Sequence, residues 1–197
     1  MESKFTVSQA FVESIKLGLK NFLSLLGAMI LWSLTIWIPY LNVGTTIAMV
    51  TLPAKMSRGA VISPLEIFNG KYRKFMGEFF LVIGLRSIAI FPAYLFMFFP
   101  GMVLSFAYSF AALFVVDKGI TPGDALSVSN RCTHGYKWKM FFTYLLLYIA
   151  LGVVGAILAL ISPFLTIIVI LVFMPIVLGA QAFFYGKLTE DIPSLEE

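Results

Sequence analysis

Residues 140–186, MFFTYLLLYIALGVVGAILALISPFLTIIVILVFMPIVLGAQAFFYG, contain no charged side chain. A helix needs about 20 mainly apolar residues to cross a bilayer, so these 47 residues are long enough for two crossings joined by a turn. Two more charge-free stretches, residues 21–54 and 87–116, have 34 and 30 residues and also suit helical hairpins. The whole chain of 197 residues is 60% hydrophobic and 12% charged, whereas soluble domains are about 45–50% apolar and about 25% charged. The sequence therefore predicts an all-α, polytopic membrane protein.

A proline divides each of these stretches: Pro39, Pro100 and Pro163. Proline lacks the backbone N–H that a helix uses, and it disfavours helix at the residue before it, so each proline suits a hairpin tip. Three hairpins give six transmembrane helices in a single membrane domain covering residues 1–197. We expect this fold, with short interfacial helices on the cytoplasmic side.

The second predicted span, residues 41–56, is the most polar of the six. Its polar side chains include Asn42, Thr45, Thr46 and Thr51. The 34 uncharged residues of its hairpin make about 51 Å of helix, while two full crossings take about 60 Å. Snorkelling of the flanking lysines closes this difference if the hairpin spans fully. The alternative is a re-entrant hairpin, which turns back at membrane depth and is covered by protein.

Nearly all basic residues flank the hairpins at the end away from the predicted tips. They are Lys4, Lys16, Lys20, Lys55, Arg58, Lys71, Arg73, Lys74, Lys118, Arg131, Lys137, Lys139 and Lys187. The positive-inside rule places these residues and both termini on the cytoplasmic face of a bacterial inner membrane, with the tips on the outer face. Topology thus accounts for the isoelectric point of about 9.2, and nucleic acid is not an expected partner.

The same helix-start pattern precedes each hairpin. It occurs as Thr6-Val-Ser-Gln9, Ser63-Pro-Leu-Glu66 and Thr121-Pro-Gly-Asp124, at spacings of 57 and 58 residues. The hydroxyl can accept an N–H of the first turn and the polar side chain three residues on can reach back, which predicts a capped cytoplasmic helix. The equal spacing favours three copies of one unit, although a separate cap for each helix would use the same residue types. The candidate units are 6–57, 63–117 and 121–187.

Arg86 is the charged residue that hydropathy places near the centre of a predicted span. An unpaired arginine there costs at least about 2.5–3.5 kcal/mol, so it should face protein, water or a ligand. We take it as a candidate ligand-binding or pore-lining residue, with a structural hydrogen bond as the alternative. The other candidates are the polar residues of the second span: Asn42, Thr45, Thr46 and Thr51. Two charges, Lys55 and Asp117, are expected at the inner membrane interface.

The sequence offers no catalytic or metal-binding constellation. Cys132 and His134 are too few for a metal site, and no second cluster accompanies them. Gly-rich phosphate loops and the motifs of metalloproteases and serine hydrolases are absent as well. We therefore expect no enzymatic activity, no catalytic residue, no metal and no cofactor.

From residue 96 onward the chain carries a series of short motifs. They are Phe99-Pro100-Gly101-Met102, Ala107-Tyr108-Ser109-Phe110, Asp117, Ala125-Leu126, Ser129, Gly135-Tyr136-Lys137-Trp138-Lys139-Met140-Phe141, Pro175 and Ala182-Phe183-Phe184-Tyr185. In order and chemistry this series resembles the bacterial family of integral membrane proteins catalogued as domain of unknown function 975. The resemblance implies membrane location and a multi-span fold, but no activity, substrate or catalytic residue.

Together these observations favour a non-enzymatic inner-membrane protein. We expect a homo-oligomer that forms either a permeation assembly, channel or transporter-like, or a lipid-binding assembly, with membrane lipid as a partner. The alternative is a membrane scaffold or accessory subunit whose cytoplasmic helices dock a protein partner, in which case Arg86 is structural.

Overall fold

The computed structural model describes residues 4–190 and 192, and this part of the chain contains helices but no strand. The α-helices are α1 (Val7–Lys20), α2 (Phe22–Thr35), α3 (Leu41–Ser57), α4 (Met76–Phe96), α5 (Phe98–Ala107), α6 (Ala111–Lys118), α7 (Pro122–Thr133), α8 (Lys137–Ile161) and α9 (Thr166–Thr189). Short 3-10 helices are Pro64–Phe68, Gly70–Phe75 and Pro163–Leu165. The all-α class is confirmed for the described residues.

Several helical segments are long and apolar enough to cross a membrane. Within the described residues there are four: Gly70–Phe96, Phe98–Lys118, Lys137–Ile161 and Thr166–Thr189. The number is five if α1 and α2, which are bent by 65° relative to each other, form one broken span. The helices thus fit a multi-pass membrane protein, while the expected six spans are not confirmed.

The predicted second span accounts for this difference. It corresponds to α3, whose 17 residues make about 26 Å of helix, less than the hydrocarbon core of about 30 Å. Ten of these residues are buried inside the protein. Protein therefore covers most of α3, which is the surrounding that a polar helix at membrane depth requires.

The tip between α2 and α3 lies beside the basic segment that leads into α4. The guanidinium carbon of Arg73 is 5.7 Å from the ring centroid of Tyr40, and the Arg73 side chain packs closely against Gly44. The six-span arrangement expects Tyr40 and Arg73 on opposite faces of the bilayer, about 30 Å apart. The observed contact instead fits the re-entrant alternative for this hairpin.

Burial distinguishes two regions of the molecule, which we call the body and the stem. The body consists of α1, α3, α6, α7 and the part of α9 after Pro175. Its largest fully buried side chains include Leu52, Met56, Phe110, Phe114, Phe184 and Tyr185. The stem consists of α4, α5, α8 and residues 166–174 of α9, and it exposes many large apolar side chains, such as Leu95 and Leu160. An exposed apolar surface of this extent needs lipid or another protein to cover it.

Helix α1 joins the body by packing along α9. Its small residues are buried, and the backbones of the two helices meet at Gly18 and Gly179. A Cβ atom at Gly18 would meet the backbone of Pro175 and Ile176, and one at Gly179 would meet the backbone of α1. Glycine at both positions therefore permits this close approach.

The predicted hydroxyl caps are present at all three helix starts, but within the described residues the contact back to the N–H of the cap residue is present only at Thr6. Thr6 accepts the N–H of Gln9 within a complete capping box. Ser63 accepts the N–H of Leu65, and Thr121 that of Asp124. The helix that follows Ser63 is a short 3-10 helix, so the three segments share their start but not their length.

Helix α7 packs against the break between α5 and α6. Ser129 donates a hydrogen bond to the carbonyl of Ala107 at 2.7 Å and accepts one from the N–H of Phe110 at 3.2 Å. Two backbone groups that the helix break leaves unpaired are satisfied in this way. These two hydrogen bonds fix the start of α6. They thereby help to fix the position of Asp117 at the other end of that helix.

Candidate functional site

A cavity of about 430 Å³ lies where the C-terminal half of α3 meets the segment before α4 and the end of α6. Its lining consists of Thr51, Lys55, Arg58, Lys71, Tyr72, Lys74, Phe75, Val116 and Asp117. Four of these side chains are cationic and one is a carboxylate. We call this space the cationic cavity and take it as the candidate binding site.

Helix α3 supplies two of the four cations. Lys55 lies in the last turn of α3 and Arg58, three residues on, is the C-cap residue of this helix, and both side chains line the cavity. The carbonyl end of a helix carries partial negative charge and favours cations there. Local helix geometry thus directs two positive charges toward one place.

The 3-10 helix Gly70–Phe75 supplies the other two cations, Lys71 and Lys74. The Asn69 side chain accepts the N–H of Lys71 at 3.1 Å and fixes the start of this turn. Because a 3-10 helix has about three residues per turn, side chains three positions apart eclipse each other. Lys71 and Lys74 therefore project from the same side, one turn apart.

Glu66 organises the lysines around the cavity. Its Oε1 accepts hydrogen bonds from Lys55 Nζ at 2.5 Å and from the Tyr72 hydroxyl at 2.9 Å, and Lys71 Nζ lies 3.5 Å away. Burial opposes ionisation of this carboxyl, but the bonds from Lys55 and Tyr72 and the two lysine charges outweigh it and hold the pKa of Glu66 below its ordinary value. Glu66 is therefore ionised at neutral pH, with Lys55 as its closest partner.

Asp117 closes the opposite wall of the cavity. Arg58 binds both of its oxygens, with Nη1 3.0 Å from Oδ2 and Nη2 2.7 Å from Oδ1, and the Tyr185 hydroxyl donates to Oδ2 at 2.8 Å. Only 10% of the Asp117 side chain is exposed. This bidentate pair links α3, α6 and α9. A second cavity, of about 330 Å³, shares Arg58 and Asp117 with the first.

The cationic cavity has a surplus of positive charge. Three of its four cations contact one of two carboxylates, Glu66 or Asp117, so two of the four positive charges stay unbalanced. Lys74 is exposed and has no hydrogen bond or ion pair with any residue that the structure describes. Lys71 keeps 47% of its side chain exposed. An anion can therefore reach these two lysines from outside and would be attracted to them.

The cavity lies at the boundary between the body and the stem. Phe75 belongs to its lining, and the next residues of the chain begin the apolar surface of α4. Met76, Phe80 and Leu81 expose 37%, 55% and 55% of their surface. A ligand with a charged head and an apolar tail would meet matching surfaces there, the head in the cavity and the tail along α4.

The structure brings together some of the site residues that the sequence predicts. Thr51, Lys55 and Asp117 line the same cavity. Which residues pair with Lys55 and with Asp117 is not evident from the sequence. The Thr51 hydroxyl donates to carbonyls one turn back in its own helix, at 2.8 and 3.1 Å. It therefore shapes the wall more than it offers a free donor.

The other polar residues of α3 lie at its N-terminal end, away from the cavity. Asn42 donates to the carbonyl of Ile36 at 3.0 Å. The hydroxyl of Thr45 lies 2.9 Å from that of Thr35, and Thr46 accepts a hydrogen bond from the indole of Trp32 at 3.0 Å. These side chains tie α3 to α2 and the turn between them.

Arg86 lies in the stem and is not part of the cavity. It is half-buried in the middle of α4, ten residues after Met76, which is about 15 Å along the helix. The guanidinium has no hydrogen bond or ion pair with any residue between 4 and 190 or with Ile192. The predicted structural hydrogen bond is thus not seen within the part of the chain that the structure describes.

Several residues of the cavity were not singled out by the sequence. Arg58, Lys71 and Lys74 look like ordinary cytoplasmic flanks of spans, because the positive-inside rule already accounts for basic residues there. Glu66 looks like a helix cap. The spacing of Lys71 and Lys74 is informative only once the segment is known to be a 3-10 helix.

Comparisons with protein-family models, with curated proteins and with solved structures found no match to this chain. The resemblance of residues 96–185 to the family described above therefore stays a prediction. Within residues 4–190 and 192, no group of three or more His, Cys, Asp or Glu side chains could hold a metal ion.

Proposed function

We propose that this chain is a non-enzymatic, multi-pass membrane protein that binds anionic lipid, with the lipid phosphate in the cationic cavity. The observation that carries the proposal is the unbalanced positive charge of this cavity, located where the exposed apolar surface of α4 begins. A lipid headgroup is the anion that is abundant at such a boundary, and clusters of Lys and Arg beside a membrane span are typical of lipid recognition.

The proposed topology has four crossings and a re-entrant α2–α3 hairpin, with the basic ends of the spans on the cytoplasmic face of a bacterial inner membrane. An even number of crossings returns the chain to its starting side, so the basic residues of α1 and Lys187 of α9 lie on one face, as the positive-inside rule favours. Five crossings would separate them. The contact between Arg73 and Tyr40 supports this arrangement.

The polar residues of α3 favour lipid binding over permeation. A permeation path needs polar groups that are free to meet an ion or solute. Asn42, Thr45 and Thr46 already use their side chains in contacts with α2 and the turn. Lys71 and Lys74, in contrast, point their charges into an accessible cavity.

We also propose that the chain forms a homo-oligomer. In the most apolar window of α8, only 6% of the residues are buried. A helix with so little protein around it must be covered by lipid or by another copy of the chain. The number of copies and the retained lipid can be read in one experiment.

That experiment is native mass spectrometry of the purified full-length chain in a gentle detergent. We expect one anionic phospholipid retained per protomer, and loss of this lipid in the double variant Lys71→Gln/Lys74→Gln. A matched control is Lys16→Gln/Lys137→Gln, which removes two lysines that line neither cavity and that bind Glu13 and Asn130. The control should retain the lipid, because both variants lower the net charge equally and differ only in location. Equal retention in the two variants would overturn the proposal.

A further inference from the structure

The two lysines that face the cavity differ from the other two cations in how firmly they are held. Arg58 is engaged by both oxygens of Asp117, and Lys55 by a short bond to Glu66. Lys71 is 3.5 Å from Glu66, and Lys74 has no partner in the described part of the chain. A ligand can therefore bind Lys71 and Lys74 while Glu66 and Asp117 keep their partners Lys55 and Arg58.

The geometry of the 3-10 helix suits two lysines binding one group. With a rise of about 2 Å per residue, Lys71 and Lys74 start about 6 Å apart along the helix axis and point the same way. Lysine side chains are long and flexible, so both ammonium groups can converge on different oxygens of a single phosphate. The two exposed ammonium groups match the two unbalanced charges of the cavity.

Phosphate groups of lipids differ in charge. A phosphate held by one ester bond carries about 1.5 to 2 negative charges at pH 7 and offers three acceptor oxygens. A phosphate held by two ester bonds carries a single negative charge. The surplus of two positive charges in the cavity therefore matches the monoester better than the diester.

We infer that the cationic cavity selects a phosphomonoester dianion, held by Lys71 and Lys74, over a phosphodiester. This inference rests on the proposed lipid binding and names the ligand class for the same site. Arg58 and Lys55 remain paired with their carboxylates and add a long-range attraction. The exposed apolar start of α4 favours a lipid as the bearer of the monoester.

The test compares two lipids with identical acyl chains on the full-length chain in detergent. Phosphatidic acid carries a monoester, and phosphatidylglycerol carries a diester. We expect phosphatidic acid to bind about five- to tenfold more tightly at pH 7.5, because one additional negative charge faces two lysines. Soluble glycerol 3-phosphate and inorganic phosphate, titrated against bound phosphatidic acid, distinguish a lipid site from a site for free phosphate.

Variants separate a specific site from general surface charge. Lys74→Gln should remove most of the preference for phosphatidic acid while phosphatidylglycerol binding changes less than twofold, and the control Lys16→Gln should change neither. The preference should also fall below about pH 6, where the monoester dianion takes up one proton and becomes a monoanion. The charged and titratable residues that line the cavity are Lys55, Arg58, Lys71, Tyr72, Lys74 and Asp117, and Glu66 lies beside Lys71.

Each outcome decides a different point. Equal affinity for the two lipids, with both lost in Lys71→Gln/Lys74→Gln, overturns the monoester selection and leaves the proposed lipid binding in place. Displacement of phosphatidic acid by glycerol 3-phosphate at similar concentration supports the monoester and overturns the lipid as its source. If neither lipid binds, both the monoester selection and the proposed lipid binding are overturned.

Discussion

The two halves of α9 belong to one apolar helix but have different surroundings. Before Pro175, Ile167 exposes 52% of its surface, whereas after it Ile176 exposes 5%. Both halves belong to one candidate span, Thr166–Thr189. The first half lies in the stem and the second half lies in the body, so one apolar helix runs through both regions.

This difference shows what apolar composition can and cannot predict. Hydropathy reports that a segment avoids water, but it does not tell whether protein or lipid covers it. In the body, a side chain lies within contact distance of the backbone or the charged groups of a neighbouring helix. In the stem, many side chains face outward. A substitution is therefore expected to cost more in the body than at a matched position in the stem.

The largest effect is expected for Gly179→Ala in the body. A Cβ at Gly179 would overlap the backbone of Ser14 and Gly18 in α1, and because backbone cannot move aside as a side chain does, we expect a loss of about 3 kcal/mol of unfolding free energy. The matched change in the stem is Gly152→Ala, where a Cβ meets nothing within 4 Å. Alanine is the better helix former by about 0.5–1 kcal/mol, so this variant should keep or raise stability.

Thermal unfolding of both glycine variants in the same detergent gives the comparison. A large drop for Gly179→Ala alone would agree with the close packing of α1 on α9. Equal melting temperatures for the two variants would mean that α1 does not pack on α9 at this distance, and the extent of the body would have to be revised.

The next effect is expected at the ion pair between α3 and α6. Asp117→Asn removes the charge that binds Arg58 and accepts from Tyr185. Hydrogen bonds to charged groups contribute about 1.5–3 kcal/mol, and Arg58 is partly exposed, so we expect a loss of about 2 kcal/mol in chemical unfolding. In Glu13→Gln, which breaks the exposed pair with Lys16, the loss should stay below about 0.5 kcal/mol. Similar losses in the two variants would contradict a specific role of Asp117.

A smaller, pH-dependent effect is expected from Glu66. Its pKa in the folded chain is lower than in the unfolded chain, so its contribution to stability is present above the unfolded value of about 4.3. This contribution is lost as the pH falls through the folded value. We expect the wild type to lose about 1 kcal/mol from this group on acidification. Glu66→Gln should not show this contribution of about 1 kcal/mol. Parallel curves of unfolding free energy against pH for the wild type and the variant would contradict this role of Glu66.

Part of this structure follows from sequence because it depends on local chemistry. The hairpin turns near Pro39, Pro100 and Pro163 and the three hydroxyl caps need only neighbouring residues, and they are found as expected. The 34 uncharged residues of the first hairpin left a re-entrant hairpin open as the alternative to two full crossings. The partners in the site are different, because Arg58 and Asp117 are 59 residues apart in the chain. Their contact depends on how α3 and α6 pack, which no local pattern specifies.

The smallest effect on the isolated chain is expected for Arg86→Leu, in the middle of the stem. No hydrogen bond or ion pair to any described residue is lost in this variant, and leucine suits an apolar span at least as well as arginine. We therefore expect the unfolding free energy in detergent to change by less than about 0.5 kcal/mol.

The same variant tests whether the membrane gives Arg86 a partner. If lipid phosphate or a second copy binds the guanidinium, as its candidate role in ligand binding or permeation requires, Arg86→Leu should lower oligomer stability or ion flux in liposomes while leaving the detergent-solubilised monomer unchanged. Lys74→Gln is the control for lipid binding at the cavity, because it removes a cation from the cavity and leaves Arg86 in place. If Arg86→Leu changes nothing in liposomes either, the candidate role of Arg86 in ligand binding or permeation is wrong.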